Sequence, residues 1–171
     1  MKTIVVAPHP DDEVLGSAGT ILRRKAEGAE VAWLIVTGMK SGSGWSEAQT
    51  ERRSAEIEKI KSFFQFDEVF QLNFPPSGLN GTLMGDLINA ISQVFQSYQP
   101  EEVLVPHPSD VHSDHRYVFD AVASCSKWFR YPSIKRILAY ETLSETGFGL
   151  KSPQSFVPTV FINIAPYLDA K

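Results

Sequence analysis

Apolar residues recur along the chain in two rhythms. The short runs "TIVVA" (3–7), "EVAWLIVTG" (30–38), "DEVFQLNF" (67–74), "EEVLVPH" (101–107), "IKRILAYE" (134–141) and "TVFINI" (159–164) are rich in β-branched and aromatic residues and read as strands. Longer stretches with helical spacing lie between them. "DEVLGSAGTILRRKAEG" (12–28) places its acids at the start and Gly28 where a helix would stop. "SEAQTERRSAEIEKIKSFF" (46–64) reads as an amphipathic helix with Ala48, Arg52, Ala55 and Lys59 on one side and Ile60, Phe63 and Phe64 closing its end. Leu87, Ile88, Ile91, Val94, Phe95 and Tyr98 mark the inner face of a third helix, and "SDHRYVFDAVASCSKWF" (113–129) reads as a fourth.

The resulting order is β-α-β-α-β-α-β-α-β-β. It predicts an α/β chain, a Rossmann-like three-layer αβα sandwich with a mostly parallel sheet covered on both faces. In such sheets ligands bind outside the carboxyl ends of the strands. Two polar clusters fall at such ends, "PHPDDE" (8–13) after the first strand and "PHPSDVHSDH" (106–115) after the fourth. They are far apart in sequence and are predicted to share one rim of the sheet.

Composition narrows the function classes. A length of 171 residues without internal repeat or linker predicts a single domain, 1–171. A net charge of −4 does not favour nucleic acid as a partner. No apolar run approaches a membrane span and no signal-peptide core follows Met1, so a cytoplasmic protein is expected. Cys125 is the sole cysteine, which excludes an intramolecular disulfide; within an apolar helical pattern it reads as a buried bystander.

All four histidines, His9, His107, His112 and His115, lie in the two acidic clusters. That concentration points to a metal site rather than to four satisfied bystanders. Imidazole and carboxylate without thiolate suit Zn²⁺, Fe²⁺, Co²⁺ or Mn²⁺. His9 with Asp11 or Asp12 could supply two ligands and a histidine of the second cluster the third. A divalent cation would stabilise the crowded carboxylates. A carboxylate left off the metal could act as general base.

"PHPDDE" together with "HPSDVHSDH" resembles the PIG-L/LmbE-like family of zinc-dependent N-acetylglucosaminyl deacetylases, over nearly the whole chain. The resemblance implies zinc, or Fe²⁺ or another divalent cation, held by His9, Asp12 and His115. It implies Asp11 as general base, His112 as oxyanion stabiliser and Asp114 as the residue orienting His112. The implied reaction removes the acetyl group from an N-acetylated sugar, and the sugar is the expected partner. No nucleic acid and no membrane span are expected, and assembly into a homo-oligomer is left open. "ERRSAE" is similar to the family's R-x-x-E helix and implies Arg53 at the substrate. Trp45, in the glycine-containing loop "MKSGSGWSEA", could stack on a sugar ring, and Glu141 after the fifth strand could contact substrate. Asp110 and His107 read equally well as loop-shaping residues. The chain departs from the family in having Ser77-Gly78 where many members carry Asp-Gly, and it is expected to lack the family's C-terminal helical segment.

Two other readings compete. A metal- or sugar-binding module without turnover would not need the spare carboxylate of Asp11, although Asp11 could simply cap the helix that follows. A dinucleotide-binding oxidoreductase is disfavoured because no G-x-G-x-x-G follows the first strand.

Overall fold

The structure, a computed structural model, describes residues 1–148 and 156–171. Five strands form one sheet: β1 (Lys2–Ala7), β2 (Glu30–Thr37), β3 (Glu68–Phe74), β4 (Glu102–Pro106) and β5 (Arg136–Tyr140). Their spatial order is β3-β2-β1-β4-β5, and every pairing is parallel. The α-helices are α1 (Ala18–Ala26), α2 (Glu47–Phe64), α3 (Met84–Tyr98) and α4 (Ser113–Ser124).

Burial on both faces explains why β1, β2 and β4 are almost wholly apolar. Alternate residues serve opposite cores. Ile4, Val6, Leu34, Val103 and Val105 pack with Ile91 and Phe95 of α3 and Val118 and Val122 of α4. Val5, Val31, Trp33 and Ile35 pack with Ile21 of α1 and Ile57 and Phe64 of α2. The chain winds outward from β1 through β2 to β3, then returns through α3 to place β4 on the other side of β1. The winding direction therefore reverses between β1 and β4, where ligands of open parallel sheets bind. The two polar clusters follow these two strands.

Three details differ from the sequence reading. "TVFINI" forms no strand. Residues 156–164 lack regular structure, and Phe161 is 83% exposed. This segment is tied to α1 instead of β5: Arg23 Nη1 donates to the Asn163 carbonyl at 3.1 Å, and Ile164 packs against Gly19, which has no side chain to obstruct it. The buried face of α2 is Ile57 and Phe64, whereas Ala48, Arg52, Ala55, Lys59 and Phe63 are exposed. Ile57 and Phe64, with half-buried Ile60 beside them, pack on the core that holds Trp33, Phe66 and Ile21. Finally, α4 ends at Ser124. Buried Tyr131 must turn back onto α3, where its hydroxyl meets Ser92 Oγ at 2.8 Å.

Candidate active site

The loop after β1 carries the first cluster into a π-helical turn, Glu13–Ser17, that leads into α1. Such turns concentrate at functional sites. The Asp11 and Asp12 amides both donate to the His9 carbonyl, at 2.9 and 3.3 Å, so the three residues crowd into one tight bend. The second cluster follows β4, and His112 caps α4, its Nδ1 accepting from the Asp114 amide at 3.2 Å.

The two clusters meet. One oxygen of buried Asp12 lies 3.4 Å from His9 Nδ1 and 3.3 Å from His115 Nε2. Ligands of a tetrahedral zinc ion at about 2.0–2.1 Å stand about 3.3–3.4 Å apart, so this donor set has the spacing such an ion requires. His9, His112 and His115 each also offer a nitrogen within 4.8 Å of the others.

What stands behind each ring separates the three histidines. His115 Nδ1 meets Asp110 Oδ2 at 2.8 Å, and His9 Nε2 meets Asp114 Oδ2 at 3.0 Å. A carboxylate behind the far nitrogen fixes the tautomer and aims the near nitrogen inward, the usual support of a metal-ligating histidine. His112 has no carboxylate bond among the described residues. Its Nδ1 accepts a backbone N–H, so the proton of the neutral ring sits on Nε2.

Asp114 thus differs from its expected place. Its carboxylate orients His9, not His112, because the Ser77 and Leu79 amides hold it toward β1, at 2.7 and 3.3 Å. Ser77 adopts φ of 55°, in the left-handed region. Asp110 gains a role that the sequence left undecided, and Thr146 donates its hydroxyl to Asp110 from outside both motifs. His107 does not join the cluster. Its ring bonds Ser109 Oγ at 2.6 Å and packs edge-on against Phe156.

Burial and pairing compete in the protonation of these groups. Burial alone would lower the histidine pKa values, but Asp114 and Asp12 outweigh it at His9, and Asp110 and Asp12 at His115, raising both to about 9. Burial would raise Asp12, yet bonds to His115 and His9 hold it at about 2. At His112 burial and the nearby His9 both act downward, favouring the neutral ring. Asp11 is exposed, yet the protein around it desolvates its carboxyl, and this, with the charge of Asp12, raises its pKa. Glu13 is fully buried, neither of its oxygens has a hydrogen-bond partner among the described residues, and burial lifts it to about 8.

A cavity of about 440 Å³ opens beside His9 and Asp11 and reaches Trp45, Arg53 and Asn73. Arg53 is set by the start of α2, where Ser46 and Gln49 form a capping box. Its Nη1 donates to the Pro10 carbonyl at 3.1 Å and pairs with Glu56 at 3.4 Å, so it braces the first motif as well as lining the cavity. Glu141 is exposed and lies elsewhere, lining a second groove between the start of α1, β5 and the 156–164 segment. No helix among the described residues is long and apolar enough to cross a membrane.

Residues 4–126 match the family model for PIG-L, described as GlcNAc-PI de-N-acetylase. The chain is 29% identical over 168 residues to the uncharacterized deacetylase YaiS of Escherichia coli (strain K12), covering 94% of this chain and 80% of that protein. It is 30% identical over 129 residues to the diacetylchitobiose deacetylase of Thermococcus kodakarensis, covering 68% of this chain but only 45% of that protein. Its fold is similar to the crystal structure of the conserved protein TT1542 from Thermus thermophilus, with a TM-score of 0.76 and 26% identity over 98% of this chain and 73% of that one.

Proposed function

Because the chain belongs to the PIG-L family of N-deacetylases, we propose that it hydrolyses the N-acetyl group of an N-acetylglucosamine-type sugar, with zinc as the first candidate cofactor. The observation that carries this reading is Asp12 standing at ligand spacing from both His9 and His115, with Asp11 free beside them. His9, Asp12 and His115 would hold the cation. When bound, it supplies Lewis-acid polarisation of the acetyl carbonyl and lowers the pKa of water. Relatives named as deacetylases, one of them for diacetylchitobiose, support the substrate class.

The chain's own groups take the remaining roles. No hydrogen bond from a described residue engages the Asp11 carboxylate, which leaves it free to accept a proton from water as general base. The Nε2–H of neutral His112 donates to the acetyl oxygen as negative charge develops there. When the carbon–nitrogen bond breaks, the amine needs a proton. Asp11, whose raised pKa lets it hold the one taken from water, can return it. Acetate and the amino sugar leave. Trp45 and Arg53 line the cavity on the substrate side.

Acetate release by wild-type and Asp11→Asn protein, each assayed with measured metal content, tests this reading. The amide should keep fold and metal while lowering turnover by about 10²–10⁴. In the wild type, turnover should rise with pH through a pKa above the ordinary aspartate value of 3.8. A metal-loaded Asp11→Asn protein with wild-type turnover would overturn the assignment, as would an absence of acetate release from every N-acetylated sugar.

A further inference from the structure

The turn between α4 and β5 sets aromatic bulk out in the open. Arg130 and Tyr131 both donate their amides to the Lys127 carbonyl at 2.9 Å, which closes residues 127–131 into a tight turn. Tyr131 is buried, with its hydroxyl on Ser92, and anchors the base of the turn to α3. Trp128 and Phe129 stand at the tip, 79% and 62% exposed, their rings edge to face at a centroid distance of 5.8 Å. Of the three tryptophans, Trp33 is wholly buried and Trp45 half-buried, so the fold can bury such a ring and leaves this one out.

The charge around the tip is equally one-sided. In a chain of net charge −4, the stretch between Asp120 and Glu141 holds Lys127, Arg130, Lys135 and Arg136 and no acid. Arg136 is committed to Glu102, and Lys135 to the Pro132 carbonyl. Lys127 and Arg130 are exposed, and neither has a carboxylate partner among the described residues; the Arg130 guanidinium lies 5.9 Å from the Phe129 ring centre. Helix α4 starts at the histidine cluster and runs 12 residues, about 18 Å, to Ser124. The turn therefore sits at the opposite end of the sheet from the candidate active site.

Two aromatic rings at a tip, flanked by two free cations, match the chemistry of an anionic bilayer surface. The rings suit the headgroup boundary, and the cations beside them meet lipid phosphates. Nucleic acid fits less well, because two cations neutralise few phosphates and the chain as a whole is negative. The same net charge orients the molecule: an anionic surface repels most of it and attracts this turn. We propose that the Trp128–Phe129 turn is a peripheral docking site for an anionic lipid surface, which holds the chain with its candidate active site facing away from the bilayer.

Vesicle sedimentation tests it, with the full chain in phosphatidylcholine vesicles and in vesicles containing about one-third phosphatidylglycerol. Wild type should partition at least tenfold more strongly onto the anionic vesicles, and less so as salt is raised. Trp128→Ser with Phe129→Ser, and separately Lys127→Glu with Arg130→Glu, should each lower that partition about tenfold or more. All four residues are exposed, so melting temperature and metal content should stay at wild-type level. Tryptophan emission should shift to the blue when anionic vesicles are added. The shift should vanish in Trp128→Phe, which keeps Trp33 and Trp45 and should still sediment with the vesicles. Equal partition onto both vesicle types, wild-type partition by both double variants, or a blue shift that survives in Trp128→Phe would overturn the inference. So would a wild type that ignores vesicles but forms a dimer lost in the serine variant, or binds an RNA oligonucleotide through Lys127 and Arg130; the turn would then serve a second copy of the chain or a nucleic acid.

Discussion

The two ends of the parallel sheet solve the same electrostatic problem differently. At the amino ends, the Glu102 side chain is fully buried at the start of β4. Burial would raise its pKa, but Arg24 more than offsets this, with Nε and Nη2 donating to the carboxylate at 2.7 and 3.1 Å. Arg136 pairs with it and Thr3 Oγ1 donates at 3.1 Å. The chain carries its own permanent counter-charges there, and the cluster is closed. At the carboxyl ends, Asp12, Asp110 and Asp114 are buried too, but their partners are imidazoles, which can release their protons. A carboxylate cluster matched to arginine is a structural element. One matched to neutralisable histidines can receive a cation from outside.

Arg24→Met should break this contrast at the structural end. Removing one partner of a buried ion pair typically costs about 3–5 kcal/mol, and because Arg136 and Thr3 still hold the Glu102 carboxylate the loss should fall toward the lower end of that range. Chemical denaturation should show that loss, while metal content and turnover per folded molecule stay at wild-type level. An equal loss of metal would show that the two ends are coupled.

Glu13 sharpens the contrast, since it has neither arginine nor histidine. Its folded pKa of about 8 lies above the ordinary 4.5, so the folded state holds a proton that the unfolded state releases. Its contribution is fully present below pH 4.5 and is lost as pH rises through 8. Glu13→Gln mimics the neutral acid. It should match wild type near the acidic end of that window and exceed it by about 2–4 kcal/mol at pH 9. Parallel stability–pH curves for the two proteins would contradict a buried neutral Glu13.

The smallest of these effects belongs to Asp110. Asp110→Asn keeps a hydrogen-bonding group behind His115 but removes its charge, and should weaken metal affinity about 10–100-fold. Competition with a metal-binding dye measures it. Unchanged affinity would reduce Asp110 to a loop-shaping residue.

Much of this was legible in the sequence, for identifiable reasons. Buried parallel strands are continuous apolar runs, so β1, β2 and β4 declare themselves, and polar clusters at their ends mark the rim. The failures lie where tertiary contacts decide. "TVFINI" has strand composition, but Arg23 and Gly19 draw it onto α1. Asp114 sits beside His112 in the chain, yet backbone amides of residues 77 and 79 turn it to His9. A backbone donor has no side-chain signature in a sequence. Thr146 and Asn73 likewise gain their positions only through the fold: Thr146 meets Asp110 across 36 residues, and Asn73 fills the space above Gly38.

Metal reconstitution tests the central claim most directly. The chain is stripped with a chelator, zinc is returned in steps, and acetate release is followed beside bound metal, for wild type and His115→Ala. Activity should rise from near zero to a plateau at one zinc per chain, with His115→Ala failing to retain the ion. Full turnover by the stripped protein, or full zinc occupancy in His115→Ala, would contradict a cation held between His9, Asp12 and His115.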